Sequence, residues 1–194
     1  MTVTAVCNCR QVLELLQVLH NADIVHRDLR PDNLVFYKVG SRVYVMLIDW
    51  AFACPRNEWR PYCGATHFVS PTVAAHLINR YCDGGGGGAM YRFTAGDDLH
   101  SWLRLCLWMA NERHLDDTLD RIDEACKNDE TLARKQRCVK AMFDAQLATA
   151  TWAPLAKAVA AMAESVEGGG RVDYTSLHEL ILSDEELVYT FPTE

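Results

Sequence analysis

The sequence predicts a mainly α fold carrying one small β-hairpin. Three observations predict it. Apolar residues recur at helical spacing near the N-terminus and again through the second half of the chain. Two short runs rich in β-branched and aromatic residues, Leu34 to Tyr37 and Val43 to Ile48, stand either side of Gly40-Ser41. No segment repeats, and 194 residues, 49% of them hydrophobic, suffice for one sizeable domain with a real core over residues 1–194.

The elements follow in order. Val12, Leu15, Leu16 and Leu19 mark an amphipathic helix from about 8 to 20, broken by Asn21-Ala22-Asp23. Gly40-Ser41 makes the hairpin turn. Ala51 to Cys63, with two prolines, reads as a loop. Gly84 to Gly88 lacks the strand and helix flanks of a phosphate-cradling loop and reads as a flexible connection. From Asp97, the residues Leu99, Trp102, Leu103, Leu105, Cys106 and Met109 cover most of a helix surface, which predicts a buried helix. A polar helix around Asp116 to Lys127 and a longer one from about Glu130 to Gln146 come next. Pro154 stands near the start of an alanine-rich helix that ends before Gly168-Gly169-Gly170, and a last helix spans about Tyr174 to Leu182.

Composition narrows the function classes. A net charge of -7 and no basic stripe argue against nucleic acid or an anionic membrane surface as partner. No apolar run approaches the roughly 20 residues of a membrane span. The N-terminus lacks the pattern of a signal peptide. The eight cysteines are scattered apart from one C-x-C at Cys7 and Cys9, so they read as reduced thiols in the cytoplasm or nucleus.

One constellation carries chemistry. Asp28 and Asn33 are five apart in a loop stiffened by Pro31, just before a strand, and Asp49 closes the second strand. A hairpin returns the chain on itself and can bring Asn33 and Asp49 together. An amide oxygen and a carboxylate form a hard-oxygen pair suited to Mg²⁺. Asp28 can accept a proton from an attacking hydroxyl. Arg30 can offset negative charge on a transferred phosphoryl group. His26 reads as a packed structural residue. Taken singly, each acid or amide could be a turn former or cap; their joint order points to phosphoryl transfer.

His26-Arg27-Asp28-Leu29-Arg30-Pro31-Asp32-Asn33 resembles the catalytic loop of the eukaryotic protein kinases, and Leu47-Ile48-Asp49-Trp50-Ala51 resembles the strand leading into their D-F-G motif. Gly64-Ala65-Thr66-His67-Phe68-Val69-Ser70-Pro71-Thr72 is similar to the end of the activation segment. Asp97-Asp98-Leu99-His100-Ser101 and Val172-Asp173-Tyr174-Thr175-Ser176-Leu177 resemble motifs of the casein kinase 1-like group. The resemblance implies a kinase C-terminal lobe. It makes Asp28 the catalytic base, with Arg30 near the γ-phosphate, and Asn33 and Asp49 the cofactor-binding and Mg²⁺-holding residues. It gives Asp98 a structural role, bonding the catalytic loop from the central helix. Arg27 in the family often receives a phosphate, but Asp49 to Gly64 contains no Ser or Thr, so activation by phosphorylation of the usual kind is not expected.

Departures accompany the likeness. Trp50-Ala51 replaces Phe-Gly, and Ala resists positive φ. Asp49-Trp50 is also similar to small-molecule phosphotransferases of the aminoglycoside and choline kinase type. Thr72 replaces the usual Glu, and Ala65 replaces a Thr. About 25 residues precede His26, too few for a Gly-rich loop, a strand lysine and a helical glutamate. The expectation is therefore a C-lobe with its N-lobe absent. ATP and Mg²⁺ binding are then conditional on an N-lobe, and the cleft face is expected to be exposed unless a partner protein or a missing segment covers it. Transfer to Ser or Thr of a protein substrate is the leading reading; a pseudokinase module that binds proteins is the alternative.

Overall fold

A computed structural model describes residues 3–63, 68–82, 90–109 and 153–182. The expected helices around Asp116–Lys127 and Glu130–Gln146, the glycine run Gly84–Gly88 and the stretch Gly64–His67 lie outside the described residues.

Helix α1 spans Val3–Asn21 and starts earlier than the apolar spacing suggests. Its buried stripe is Cys9, Val12, Leu13 and Leu16, with Leu15 and Leu19 only partly buried, so the inward face is rotated slightly from the expected one. Arg10 and Glu14 pair at 3.1 Å on the solvent side. Asp23, at φ 58, takes the chain out of the helix in a left-handed conformation that Asp tolerates better than most residues. Strand β1, Ile24–Val25, leads into the loop. A 3₁₀ turn at Pro31–Asn33 follows, with Pro31 at its first position, where the missing N–H costs nothing.

Strands β2 (Leu34–Val39) and β3 (Arg42–Leu47) pair antiparallel, Leu34 opposite Leu47 and Val39 opposite Arg42. Gly40, at φ 62, supplies the positive φ of a two-residue hairpin turn. The expected loop 51–63 contains two short strands instead. Strand β4 (Cys54–Pro55) pairs with β1, and β5 (Trp59–Pro61) pairs with β6 (Met90–Arg92). These strands are two or three residues long and their partners are distant in sequence, so local pattern cannot reveal them.

Helix α2 spans Pro71–Cys82. Its start carries a local signal: Ser70 Oγ accepts the Val73 N–H at 3.1 Å and Pro71 occupies the first helical position. Helix α3, Ala95–Met109, is buried at every residue from Ala95 to Leu107. This burial is what the apolar residues covering most of its surface predict. Helix α4, Ala153–Glu167, lies against it, and α5, Tyr174–Leu182, closes the bundle. Asp173 caps α5 by accepting the Ser176 N–H at 3.1 Å.

The main core joins α1, α3, α4, α5 and the inner face of the hairpin, around Leu16, Leu47, Leu99, Trp102, Val159 and Leu177. A second cluster packs β1, β4 and α2 around Val25, Val73, Leu77 and Phe93. Burying each large side chain contributes about 1.5–3 kcal/mol before entropy is counted. The hairpin is tied to α1 by Gln11, which donates to Val43 O at 3.1 Å and accepts the Val45 N–H at 2.9 Å. The side-chain amide thus completes the open edge of β3. The outer face of the hairpin, with Val35, Tyr37, Val39 and Met46, is exposed.

Candidate active site

The site is organised from α3. Asp98 is 1% exposed, and its carboxylate accepts the His26 N–H at 2.7 Å and the Arg27 N–H at 2.9 Å. His20, in the last turn of α1, meets the same carboxylate through Nε2 at 3.0 Å. Burial alone would raise this carboxyl, but the His20 contact and the two backbone donors outweigh it and hold it below the usual range. The loop backbone is thereby fixed to the axis of the core.

Arg27 sits at φ 73. A non-glycine residue there costs on the order of 1–3 kcal/mol and persists only when its surroundings determine it. They do so here. Its guanidinium donates to Phe52 O at 2.9 Å and to Pro61 O at 2.5 Å, and lies 4.0 Å over the Phe93 ring. Asp49 is a second left-handed residue, at φ 61. Ala51 is not among the described residues at positive φ.

Asp28 and Asn33 are both buried, at 8% and 5% exposure. The Asn33 amide nitrogen donates to Asp28 O at 2.7 Å and to Asp28 Oδ2 at 2.8 Å. The Asn33 N–H closes on Arg30 O at 3.0 Å. The loop from 28 to 33 is therefore bonded to itself, and Asn33 holds one oxygen of the Asp28 carboxylate. The Ile48 N–H donates to Asn33 O at 2.9 Å, extending the hairpin ladder by one bond. That register brings the Asp49 backbone beside Asn33. The Asp49 side chain is exposed, and its Oδ1 accepts the Ala51 N–H at 3.3 Å. Arg30 pairs with Asp32 at 2.9 Å at the loop surface. Such an exposed pair is worth about 0–1 kcal/mol, so it can be exchanged for another anion. His26 is fully buried, accepts the Asp28 N–H at Nδ1 and packs edge-on to Trp50 at 5.0 Å. This packing agrees with its reading as a structural residue of the loop.

Sequence reasoning missed a second anchor. Asp97 accepts Ser70 Oγ at 2.5 Å, Tyr91 OH at 3.1 Å, and the Thr94 N–H and hydroxyl at 2.8 and 3.2 Å. It ties the start of α2 to the start of α3. The signal was present as Thr94-Ala95-Gly96-Asp97, a capping-box spacing. A small open cleft touching Asp28 lies over this anchor, lined also by Tyr62, Ser70 and Ser101. Thr72 Oγ1 donates to Glu167 Oε1 at 3.0 Å, so α2 is still tied to α4 where the usual glutamate is replaced.

No family model matches the chain. Relatives do. The chain is 34% identical over 68 residues to the serine/threonine-protein kinase H1 homolog of Pinctada fucata, covering 33% of this chain. It is 28% identical over 86 residues to calcium-dependent protein kinase 3 of Plasmodium yoelii yoelii, covering 42% of this chain. It is 34% identical over 67 residues to the phosphorylase b kinase gamma catalytic chain, liver/testis isoform, of Bos taurus, covering 33%. The chain spans about 16% of the length of these curated relatives. The relatives support the protein kinase superfamily for this chain, and they do not favour the casein kinase 1-like group.

Proposed function

We propose that this chain is the C-terminal lobe of a protein kinase that transfers the γ-phosphate of ATP to a Ser or Thr hydroxyl of a protein substrate. The observation that carries the reading is the buried Asp28–Asn33 pair, bonded at 2.8 Å on a loop clamped by Asp98. Asp28 is the base that takes the hydroxyl proton. Asn33 orients it. Arg30, once released from Asp32, balances negative charge on the transferred group. The donor set fits Mg²⁺: Asn33 spends its amide N–H groups on Asp28, which leaves Oδ1 to meet a cation, and Asp49 adds a carboxylate from the next loop. When bound, Mg²⁺ neutralises phosphate charge while ATP supplies the phosphoryl group. The Asp97-Asp98 pair and the Val172–Leu177 motif are the residues that favour a casein kinase 1-like subgroup.

The test is a protein kinase assay with MgATP, on the 194-residue chain and on any longer product of its gene, wild type against Asp28→Asn. Transfer to Ser or Thr should fall by roughly 10²–10⁴-fold in the variant. Equal transfer by both, or none by either, overturns the enzyme reading. One observation favours a second reading, a pseudokinase module that binds proteins: the exposed apolar face of Val35, Tyr37, Val39 and Met46 is a surface that another protein segment could cover.

A further inference from the structure

The loop is held from a direction the proposed reaction does not use. Tyr174 opens α5, 154 residues from His20 in sequence, yet its phenol meets His20 Nδ1. Both residues are buried, at 6% and 5% exposure, with ring centroids 6.0 Å apart. The other imidazole nitrogen, Nε2, lies 3.0 Å from Asp98 Oδ2. That same oxygen accepts the His26 N–H at 2.7 Å, and Oδ1 accepts the Arg27 N–H.

An ionised carboxylate can only accept, so Nε2 carries the hydrogen. The hydrogen bond to His20 is the phenol's bond among the described residues. The phenol O–H is placed to donate to Nδ1, as the Nε2–H is to Asp98. Burial, reinforced by the nearby Asp98 charge, raises the phenol's pKa and keeps it protonated for this task.

We propose that Tyr174 is a positioning residue for the candidate catalytic loop: through His20 and Asp98, the last helix fixes the His26–Arg27 backbone that carries Asp28. The relay has three links, Tyr174 to His20, His20 to Asp98, and Asp98 to the two amides. Its first link decides which imidazole nitrogen faces the carboxylate. Without the phenol, Nδ1 is a buried acceptor with no donor, and the ring gains by turning or changing tautomer. Asp98 then holds the loop with two donors instead of three. The link to catalysis rests on the proposed role of Asp28; the relay itself does not.

The experiment is performed on the 194-residue chain with Tyr174→Phe, which keeps the ring and removes only the hydroxyl. Leu177→Ala, one turn further along the same helix, is the control for lost packing. Nitrogen-15 spectra, with His20 assigned through His20→Gln, should show a protonated Nε2 and an unprotonated Nδ1 in the wild type and in Leu177→Ala. Tyr174→Phe should lose that pattern. Its His26 and Arg27 amides should exchange with solvent about tenfold faster than any change seen in α4 amides. An unaltered imidazole pattern, or a rise shared equally by α4, overturns the proposal. Neither readout requires ATP or activity, so a failure here is distinct from a failure of the kinase reading.

Discussion

At the scale of single residues, Arg27 shows how a charge can be held by neutral partners among the described residues. Two carbonyls from the segment after Asp49 and the face of Phe93 hold its guanidinium. A planar fork suits this arrangement: two N–H groups reach two separate oxygens while the plane stacks on the ring. Lysine offers one compact ammonium and no plane. Arg27→Lys should therefore lower stability by about 1–3 kcal/mol, read from urea denaturation. An unchanged midpoint would mean that the carbonyls are satisfied some other way. The same contacts explain how the segment from Asp49 to Cys63, which has no Ser or Thr, is held beside the loop: Phe52 O and Pro61 O occupy donors that a phosphate would otherwise take.

At the scale of elements, α3 and α4 approach closely because Gly96 has no side chain. A Cβ at Gly96 would stand 2.9 Å from Ala163 Cα and 3.0 Å from Ala163 Cβ. Backbone cannot yield as a flexible side chain can. Gly96→Ala should cost about 1–3 kcal/mol through overpacking, although alanine favours a helix more than glycine does. Thermal unfolding gives the sign directly, and a stabilised variant would show that the helices can part. The hairpin makes a complementary case. Gln11→Ala leaves the Val45 N–H and Val43 O without their side-chain partner, at a cost of about 1–3 kcal/mol. Amide exchange at Val45 should rise while the helical amides of α4 keep their protection.

At the scale of the whole molecule, two buried groups on α3 act against each other with pH. Burial raises the Asp97 carboxyl from 3.8 to about 6, in spite of its hydrogen-bond donors. Burial, then the charge of Arg104, lowers His100 from 6.5 to about 4. The folded state binds the Asp97 proton more tightly than the unfolded state does. That contribution to stability is present below 3.8 and is lost as pH rises to about 6. His100 is the reverse: its contribution is present above 6.5 and is lost as pH falls toward about 4. Each is worth about 3 kcal/mol, and the two windows overlap, so they nearly cancel. The wild type should be nearly flat between pH 4 and 6.5. Asp97→Asn should lose stability on acidification, and His100→Gln should gain it. Urea midpoints at four pH values check this, and slopes of one sign in both variants would refute it.

The helical elements α1, α3, α4 and α5, the hairpin and its turn were legible because each is specified by local spacing: apolar residues every three or four positions, a two-residue gap with glycine, a proline at a helix start. The candidate residues Asp28, Asn33 and Asp49 were legible for a related reason, since one loop and one hairpin carry all three. What tertiary structure decided is how that loop is held. Asp98, to which the resemblance already gave this role, is joined by His20 and Tyr174 from two other helices, and Asp97 beside it is met by Ser70 and Tyr91 from two further places in the chain. The short strands β1, β4, β5 and β6 likewise exist only through partners far along the chain. Hydrogen bonds between distant residues leave no period in a sequence; they appear only once the core has brought their donors and acceptors within reach.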